Sequence, residues 1–215
     1  YGRKYRMNDQ DKGVWNYSYN AFGELLSQTD AKNQTTAFDY DSIGRMTRRY
    51  DASGTSCWDY GNSSASYNRG QLTRVRSFGT NQPCTTTATP DYEELYSYNS
   101  RALPAGKLTR AAGSSFSVSS SYDSFNRLHL LTYPSWTLSP ADDLVIKHEY
   151  QHGSLVKLTD NKSNRVYQHI QAVNARGQAT KVVYANGVTE DRSFDGTSGW
   201  LDTLTVKRGS THIHN

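Results

Sequence analysis

Between Thr35 and Tyr50 the chain alternates. Thr36, Phe38 and Tyr40 fall on one side and Thr35, Ala37 and Asp39 on the other, while Met46 and Tyr50 share a side opposite Thr47 and Arg49. A period of two built from aromatic and β-branched residues predicts half-buried strands, because a helix would not gather these positions into one stripe. The segment Tyr40-Asp41-Ser42-Ile43-Gly44-Arg45-Met46 lies between two such runs. An aspartate at the first turn position can bond its own backbone two residues on, and a glycine three residues later accepts a positive φ. The combination predicts a type I turn closed by a glycine bulge, a common hairpin connection. The same chemistry recurs at Asp51 to Gly54, at Asn20 to Gly23, and at Asp30 to Asn33. In the last of these asparagine replaces glycine as the other residue that tolerates the left-handed region. Corners every ten or eleven residues leave strands of about six, an ordinary length. The prediction is an antiparallel meander.

The pattern is periodic on a larger scale. Gly2, Gly23 and Gly44 stand 21 residues apart, as do Asp9, Asp30 and Asp51, and the interval recurs at Tyr19 and Tyr40, Asn20 and Asp41, and Leu25 and Met46. A fixed repeat of this size signals an array of stacked units, each too small to bury its own apolar face. The fold class expected is therefore all-β, tandem antiparallel β-hairpin repeats forming a curved sheet or spiral. The array is expected to span residues 1–215, with the clearest repeats in 1–60 and degenerate ones in 67–215. Its structural positions are Tyr19, Asn20, Gly23, Leu25, Asp30, Tyr40, Asp41, Gly44, Arg45, Met46, Asp51 and Gly54. Equivalent tyrosines such as Tyr19 and Tyr40 would form a ladder two strand spacings apart, about 9.6 Å, with Arg45 placed for cation–π contact beside such rings. Tyr1 falls where Ile43 sits in a later copy, so the chain is expected to be a piece of something longer. Residues 61–66, 79–95 and 133–143 break the period with Ser, Thr, Pro and Gly and read as surface loops or irregular links.

Composition supports a thin, wet sheet over a dry globule. Only 35% of residues are hydrophobic and the mean hydropathy is −0.80, yet there are 16 Tyr and 4 Trp. Tyr, Trp and Thr are strand formers that tolerate a half-wet surface. The net charge of +4 is scattered, without the basic stripe that nucleic-acid binding requires. No apolar run approaches the ~20 residues of a membrane helix. Cys57, on a predicted strand, and Cys84, in a Ser/Thr-rich loop, either pair in a disulfide, which would suit an oxidising compartment, or stand as two separate thiols.

One stretch invites a chemical reading. His148-Glu149-Tyr150-Gln151-His152 matches H-E-x-x-H, which on a helix puts two histidines on one face around Zn²⁺ with the glutamate as general base. Ser139 could cap such a helix, Pro140 suits its first turn, Asp142 sits in the box position, and Gly153 could end it. The repeat frame competes. Leu144-Val145-Ile146 is β-prone, and Tyr150 and Gly153 occupy repeat positions. Strand residues four apart are separated by roughly 13 Å, beyond a shared tetrahedral ion. His212 and His214 alternate near the C-terminus, and Asp142-Asp143 reads as a solvated loop. No glycine loop of the phosphate-cradling kind is present. The repeat frame is preferred, so no catalytic, cofactor-binding or metal-binding residue is assigned.

The pattern Y-[DN]-x-x-G-[RE]-L followed by D-x-x-G resembles the YD repeat of the RHS family, which includes RHS toxins, shell-forming toxin-complex components, wall-associated proteins and teneurins. Tyr19 to Leu25 and Tyr40 to Met46 match best. Degenerate copies follow at Gly70-Gln71-Leu72-Thr73, Gly106-Lys107-Leu108-Thr109, Tyr122 to Leu128 and Tyr150 to Leu155. The stretches Asn174 to Gln178, Asn186-Gly187-Val188 and Phe194-Asp195 also look like late-array family sequence. The resemblance implies a spiral of hairpins curling into a hollow β-shell, which in the toxin branch encloses a C-terminal effector. The shell-closing motifs of the family are absent, so its self-cleaving aspartates are not carried over. The partners implied are the rest of the parent shell and the enclosed effector chain, and the parent would be secreted or displayed at the cell surface. The alternative is a cell-surface adhesion module that binds a glycan or protein through exposed Tyr, Trp and Arg.

Overall fold

The structure, a computed structural model, describes residues 2–85, 87–135, 139 and 142–214. Among them there is no α-helix, and the strands follow one another in chain order. They are β1 (Arg6–Asp9), β2 (Gly13–Tyr19), β3 (Leu25–Thr29), β4 (Thr35–Tyr40), β5 (Met46–Asp51), β6 (Gly54–Tyr60), β7 (Leu72–Phe78), β8 (Tyr92–Tyr98) and β9 (Pro104–Ala111). Then come β10 (Ser114–Tyr122), β11 (Leu128–Tyr133), β12 (Leu144–Gln151), β13 (Ser154–Asp160), β14 (Val166–Val173), β15 (Ala179–Tyr184), β16 (Val188–Phe194), β17 (Leu201–Arg208) and β18 (Thr211–His214). The chain divides into two compact units, Tyr1–Ser117 and Val118–Asn215.

In the first unit each strand from β1 to β9 pairs antiparallel with the next. The register places Ser27 opposite Ala37, Phe38 opposite Arg49, and Arg48 opposite Cys57. Among the described residues few side chains are dry: Phe38, Cys57 and Phe78 are the buried apolar ones, and Thr55, Arg76 and Glu93 are buried with them. In the second unit the end of β10 and β11 to β18 pair antiparallel in chain order, with Val182 almost wholly buried and Ser135 and Thr159 also buried. A sheet this polar is held chiefly by its ladders and cross-strand side-chain pairs.

Two expectations need correction. Strand β8 begins at Tyr92, inside the 79–95 stretch assigned to a loop, and β11 runs through Tyr133, inside 133–143. Tyr92-Glu93-Glu94-Leu95 lacks the apolar alternation of a half-wet strand because its glutamates are held by cations across the sheet. Part of each stretch, residues 86, 136–138, 140 and 141, lies outside the described residues. The corner at Asp51 also differs from its neighbours. Asp51 pairs directly with Gly54, leaving a two-residue turn of Ala52 and Ser53, so Gly54 at φ +155° is not a bulge residue. Glycine is required there for another reason: an added Cβ would lie 2.2 Å from the Phe78 carbonyl oxygen.

Candidate functional site

The features that recur are the corners. At Asp41 the side-chain Oδ1 accepts hydrogen bonds from the backbone N–H groups of Ile43, at 3.1 Å, and Arg45, at 2.9 Å, while Gly44 donates back to the Asp41 carbonyl. The same bonds form around Asn20, Asp30, Asn99, Asp123 and Asn174. A carboxylate or amide oxygen holding two N–H groups fixes the turn without help from packing. The residue that closes each of these turns has positive φ: Gly23, Asn33, Gly44, Ala102, Asn126 and Gly177. The Arg45 backbone N–H and its guanidinium hold the Asp41 carboxyl below its usual range.

A tyrosine of the repeat motif that opens a corner brings two further features, which hold together at Tyr19, Tyr40, Tyr60, Tyr98 and Tyr150. Its pairing slips by one residue, so that Tyr19 meets Leu25, Tyr40 meets Met46, and Tyr122 meets Leu128. Its hydroxyl then reaches back across the preceding strand. Tyr40 donates to the Leu25 carbonyl at 3.0 Å, Tyr60 to Met46 at 3.2 Å, Tyr98 to Leu72 at 2.6 Å, Tyr150 to Leu128 at 2.9 Å, and Tyr19 to Lys4 at 3.0 Å. Lys4 precedes β1, but Leu25, Met46, Leu72 and Leu128 each stand at a register slip where the ladder is interrupted, so the phenol gives their carbonyls a donor there. The spacing from tyrosine to Leu or Met in the motif is thus the spacing from a hydroxyl donor to its successor's acceptor.

The arginine of the motif completes the corner. Arg45 is bound to Asp41 through Nε at 2.7 Å and Nη2 at 2.6 Å, donates to the Gly70 carbonyl at 3.1 Å, and lies over the Tyr60 ring. Arg127 repeats this with Asp123 and the Tyr150 ring. Tyr60 and Tyr98 escape a search by motif. Gly61 to Gly70 separates Tyr60 from its Leu72, and Ala102 replaces the glycine after Asn99.

A second cluster joins β6 to β9. Glu93 is buried and held by Arg74 and Arg110, and Arg76 opposite it is bound to Asp59 at 2.8 Å. Burial pushes the Glu93 carboxyl up, but Arg110 and Arg74 outweigh it and bring the group below its usual range. Cys57 in β6 and Cys84 are joined by a disulfide, and no cysteine is free.

The H-E-x-x-H stretch does not form a helix. His148 lies in β12 opposite Leu158, whereas His152 lies in the turn after it with φ +49°. Glu149 is bound by Lys157 at 2.7 Å and Lys147 at 3.2 Å, and Lys157 chiefly holds its carboxyl below the usual range. His212 stands opposite Lys207, and the side chain of His214 lies outside the described residues. Asp143 accepts the Ser135 N–H at 2.9 Å, and Asp142 precedes β12. Among the described residues no three His, Cys, Asp or Glu side chains gather as a metal site would require.

Residues 19–56 match the RHS Repeat family. No curated protein is similar in sequence to the chain. The fold is shared with a TcdB2–TccC3 crystal structure at a TM-score of 0.65 and 15% identity, covering 99% of this chain and 11% of that one. A TcdB2–TccC3–Cdc42 structure gives a TM-score of 0.57 at 15% identity over 94% and 12% of the two chains. The Photorhabdus luminescens Tc holotoxin pore with a TccC3 mutation gives 0.56 at 14% identity over 95% and 12%. The chain therefore spans about one eighth of the length of these toxin-complex chains. The corners from Tyr19 to Ser56 are RHS-repeat sequence, set in an antiparallel hairpin array with the fold of the toxin-complex proteins.

Proposed function

We propose that this chain is a non-catalytic wall segment of an RHS-repeat shell that encloses an effector carried by the same parent protein. The observation that carries this reading is the relay from one corner to the next: Asp or Asn fixes the turn, the tyrosine hydroxyl caps the broken ladder behind it, and arginine covers that ring. Such a relay stabilises a sheet one layer thick, because it does not depend on a second layer packed against either face. A wall of this kind can enclose volume while staying wet on both sides. Its polar lumen face would give an unfolded cargo no apolar surface on which to condense. The Cys57–Cys84 bond supports a secreted or surface-displayed parent, since disulfides persist in oxidising compartments.

Limited proteolysis of the full parent protein tests the reading. The enclosed region is expected to resist cleavage until low denaturant opens the wall, after which it is cut rapidly. Cleavage of that region at the rate of exposed loops, without denaturant, would overturn enclosure.

A further inference from the structure

After β7 the stretch from Gly79 to Cys84 folds back onto β5 and β6 as a strap. The Cys57–Cys84 disulfide ties it down, together with a few side chains. Arg48 Nη2 donates to Asn81 Oδ1 at 2.7 Å and to the Gln82 carbonyl at 2.9 Å, and the Thr55 hydroxyl accepts the Gln82 N–H at 3.1 Å.

The surroundings of Cys57 are unusual for an inert cross-link. In register, Arg48 of β5 stands opposite Cys57 on one side and Arg76 of β7 on the other. Such neighbours share a face of the sheet, with Cβ atoms within about 5.5 Å. Arg76 is only 6% exposed, and the Nε of each arginine is buried with no hydrogen-bond partner among the described residues. A buried donor without an acceptor is costly, and a disulfide sulfur is a weak acceptor. A Cys57 thiolate would satisfy both. The nearby carboxylates are engaged elsewhere. Asp59 takes Nη2 of Arg76, Asp39 lies 3.8 Å from Nη1 of Arg48, Glu93 is held by Arg74 and Arg110, and Asp91 accepts the Gly79 N–H. The Tyr50 ring stacks under Arg48 at 3.9 Å.

We infer that Cys57–Cys84 is a modification site for a low-molecular-weight thiol of the glutathione class, and that its reduction frees the strap. Cys57 is fully buried and Cys84 half-buried, so attack falls on Cys84. A reductant thiolate attacks Cys84 Sγ, the S–S bond breaks, and its electron pair leaves on Cys57 Sγ between the two guanidinium groups. A second reductant thiolate attacks the reductant sulfur of the mixed disulfide and expels the Cys84 thiolate, which takes a proton from water. Two reductant thiols become one disulfide, and the protein gains two electrons. Cations beside the leaving thiolate favour both its departure and the reduced state. The chain thereby senses passage from an oxidising to a reducing compartment, whether or not the parent encloses cargo.

Two measurements on the native chain test this. In a glutathione buffer poised as in the cytosol, without denaturant, at least about half of the chains should be reduced at equilibrium, whereas a structural disulfide resists that pool. The reduced chain is then alkylated with iodoacetamide between about pH 5 and 10, and each cysteine is followed by mass spectrometry. Cys57 alkylation should reach half its maximum at least about one pH unit below Cys84, a tenfold difference in thiolate. Arg48→Gln should narrow that gap by about threefold in thiolate. Reduction of less than about a tenth of the chains would overturn the inference. So would equal profiles for the two cysteines, in a folded or unfolded reduced chain, a Cys57 profile displaced upward as burial alone gives, or a gap indifferent to Arg48→Gln.

Discussion

Arg45 lies 4.1 Å over the ring of Tyr60, and the hydroxyl of that same ring donates to the carbonyl of Met46, the residue next to Arg45. One dipeptide therefore grips the tyrosine of the next strand by its face and by its tip. Arg127 and Leu128 hold Tyr150 the same way, at 4.3 Å and 2.9 Å. A double-mutant cycle on Arg45→Ala and Tyr60→Leu should return a coupling of about 0.5–1 kcal/mol, the range for partly exposed cation–π contacts. Urea denaturation of the four chains measures it. A coupling of zero would mean that the ring and the guanidinium are neighbours without consequence.

The hydroxyls can be tested apart from the rings. Tyr40→Phe, Tyr98→Phe and Tyr150→Phe each remove one oxygen and leave the carbonyl of Leu25, Leu72 or Leu128 without its donor. Each should lower stability by about 0.5–1.5 kcal/mol. Tyr17→Phe is the control, since its hydroxyl makes no hydrogen bond among the described residues and its loss should change little. Equal losses across all four would show that the relay contributes nothing particular.

Much of this architecture is legible in residue order because the corners are local. Asp41, Gly44 and Arg45 meet within a few residues, so their spacing states their geometry, and the alternation from Thr35 to Tyr40 states which side chains share a face. What escapes reading depends on register or on tolerance. Ala102 adopts φ +57°, where the motif wants glycine, and so conceals the corner that Tyr98 opens. Glu93 meets Arg74 and Arg110 at separations of 19 and 17 residues, which no local pattern encodes. Turn length decided the Asp51 corner: its composition matches its neighbours, but direct pairing with Gly54 leaves no room for a bulge.

Gly54 should be far less replaceable than Gly113. An added Cβ would sit 2.2 Å from the Phe78 backbone oxygen, and a backbone atom inside a paired strand cannot move aside cheaply. Gly54→Ala should cost at least about 2 kcal/mol, in the range of backbone-incompatible substitutions. Gly113, at φ +76°, has nothing within 4 Å of its added Cβ, so Gly113→Ala should cost only about 1 kcal/mol of conformational strain. Denaturation midpoints of the two variants settle the order, and equal costs would show that the close approach is relieved by strand movement.

Removing the disulfide frees the segment between Cys57 and Cys84. For a sequence separation of 27 residues, chain entropy predicts a loss of about 3.5 kcal/mol in the Cys57→Ser/Cys84→Ser chain. Cys57 is fully buried in β6, so an inserted hydroxyl there adds to the loss unless it finds an acceptor. Cys57→Ala/Cys84→Ala avoids that penalty and isolates the cross-link. A thermal midpoint that does not change on full reduction of the native chain would place the stability of this unit in its ladders alone.

The buried carboxylate of Glu93 sets a dependence on acid. Its folded pKa lies below the ordinary value of 4.5, so its ionised form is favoured by folding. The resulting stability is present above the ordinary value and is lost as pH falls through the folded one. Other depressed carboxylates, Asp41 and Asp51 among them, act in the same sense, so the native chain alone cannot isolate the contribution. Glu93→Gln does isolate it. The variant keeps the shape and one acceptor oxygen but no charge for Arg74 and Arg110, so it should be less stable than the native chain at about pH 7. The gap should narrow towards about pH 3, where the native carboxylate is itself protonated. A gap that stays constant with pH would mean that the arginines hold Glu93 by shape alone, and that its charge adds nothing to the junction of β7, β8 and β9.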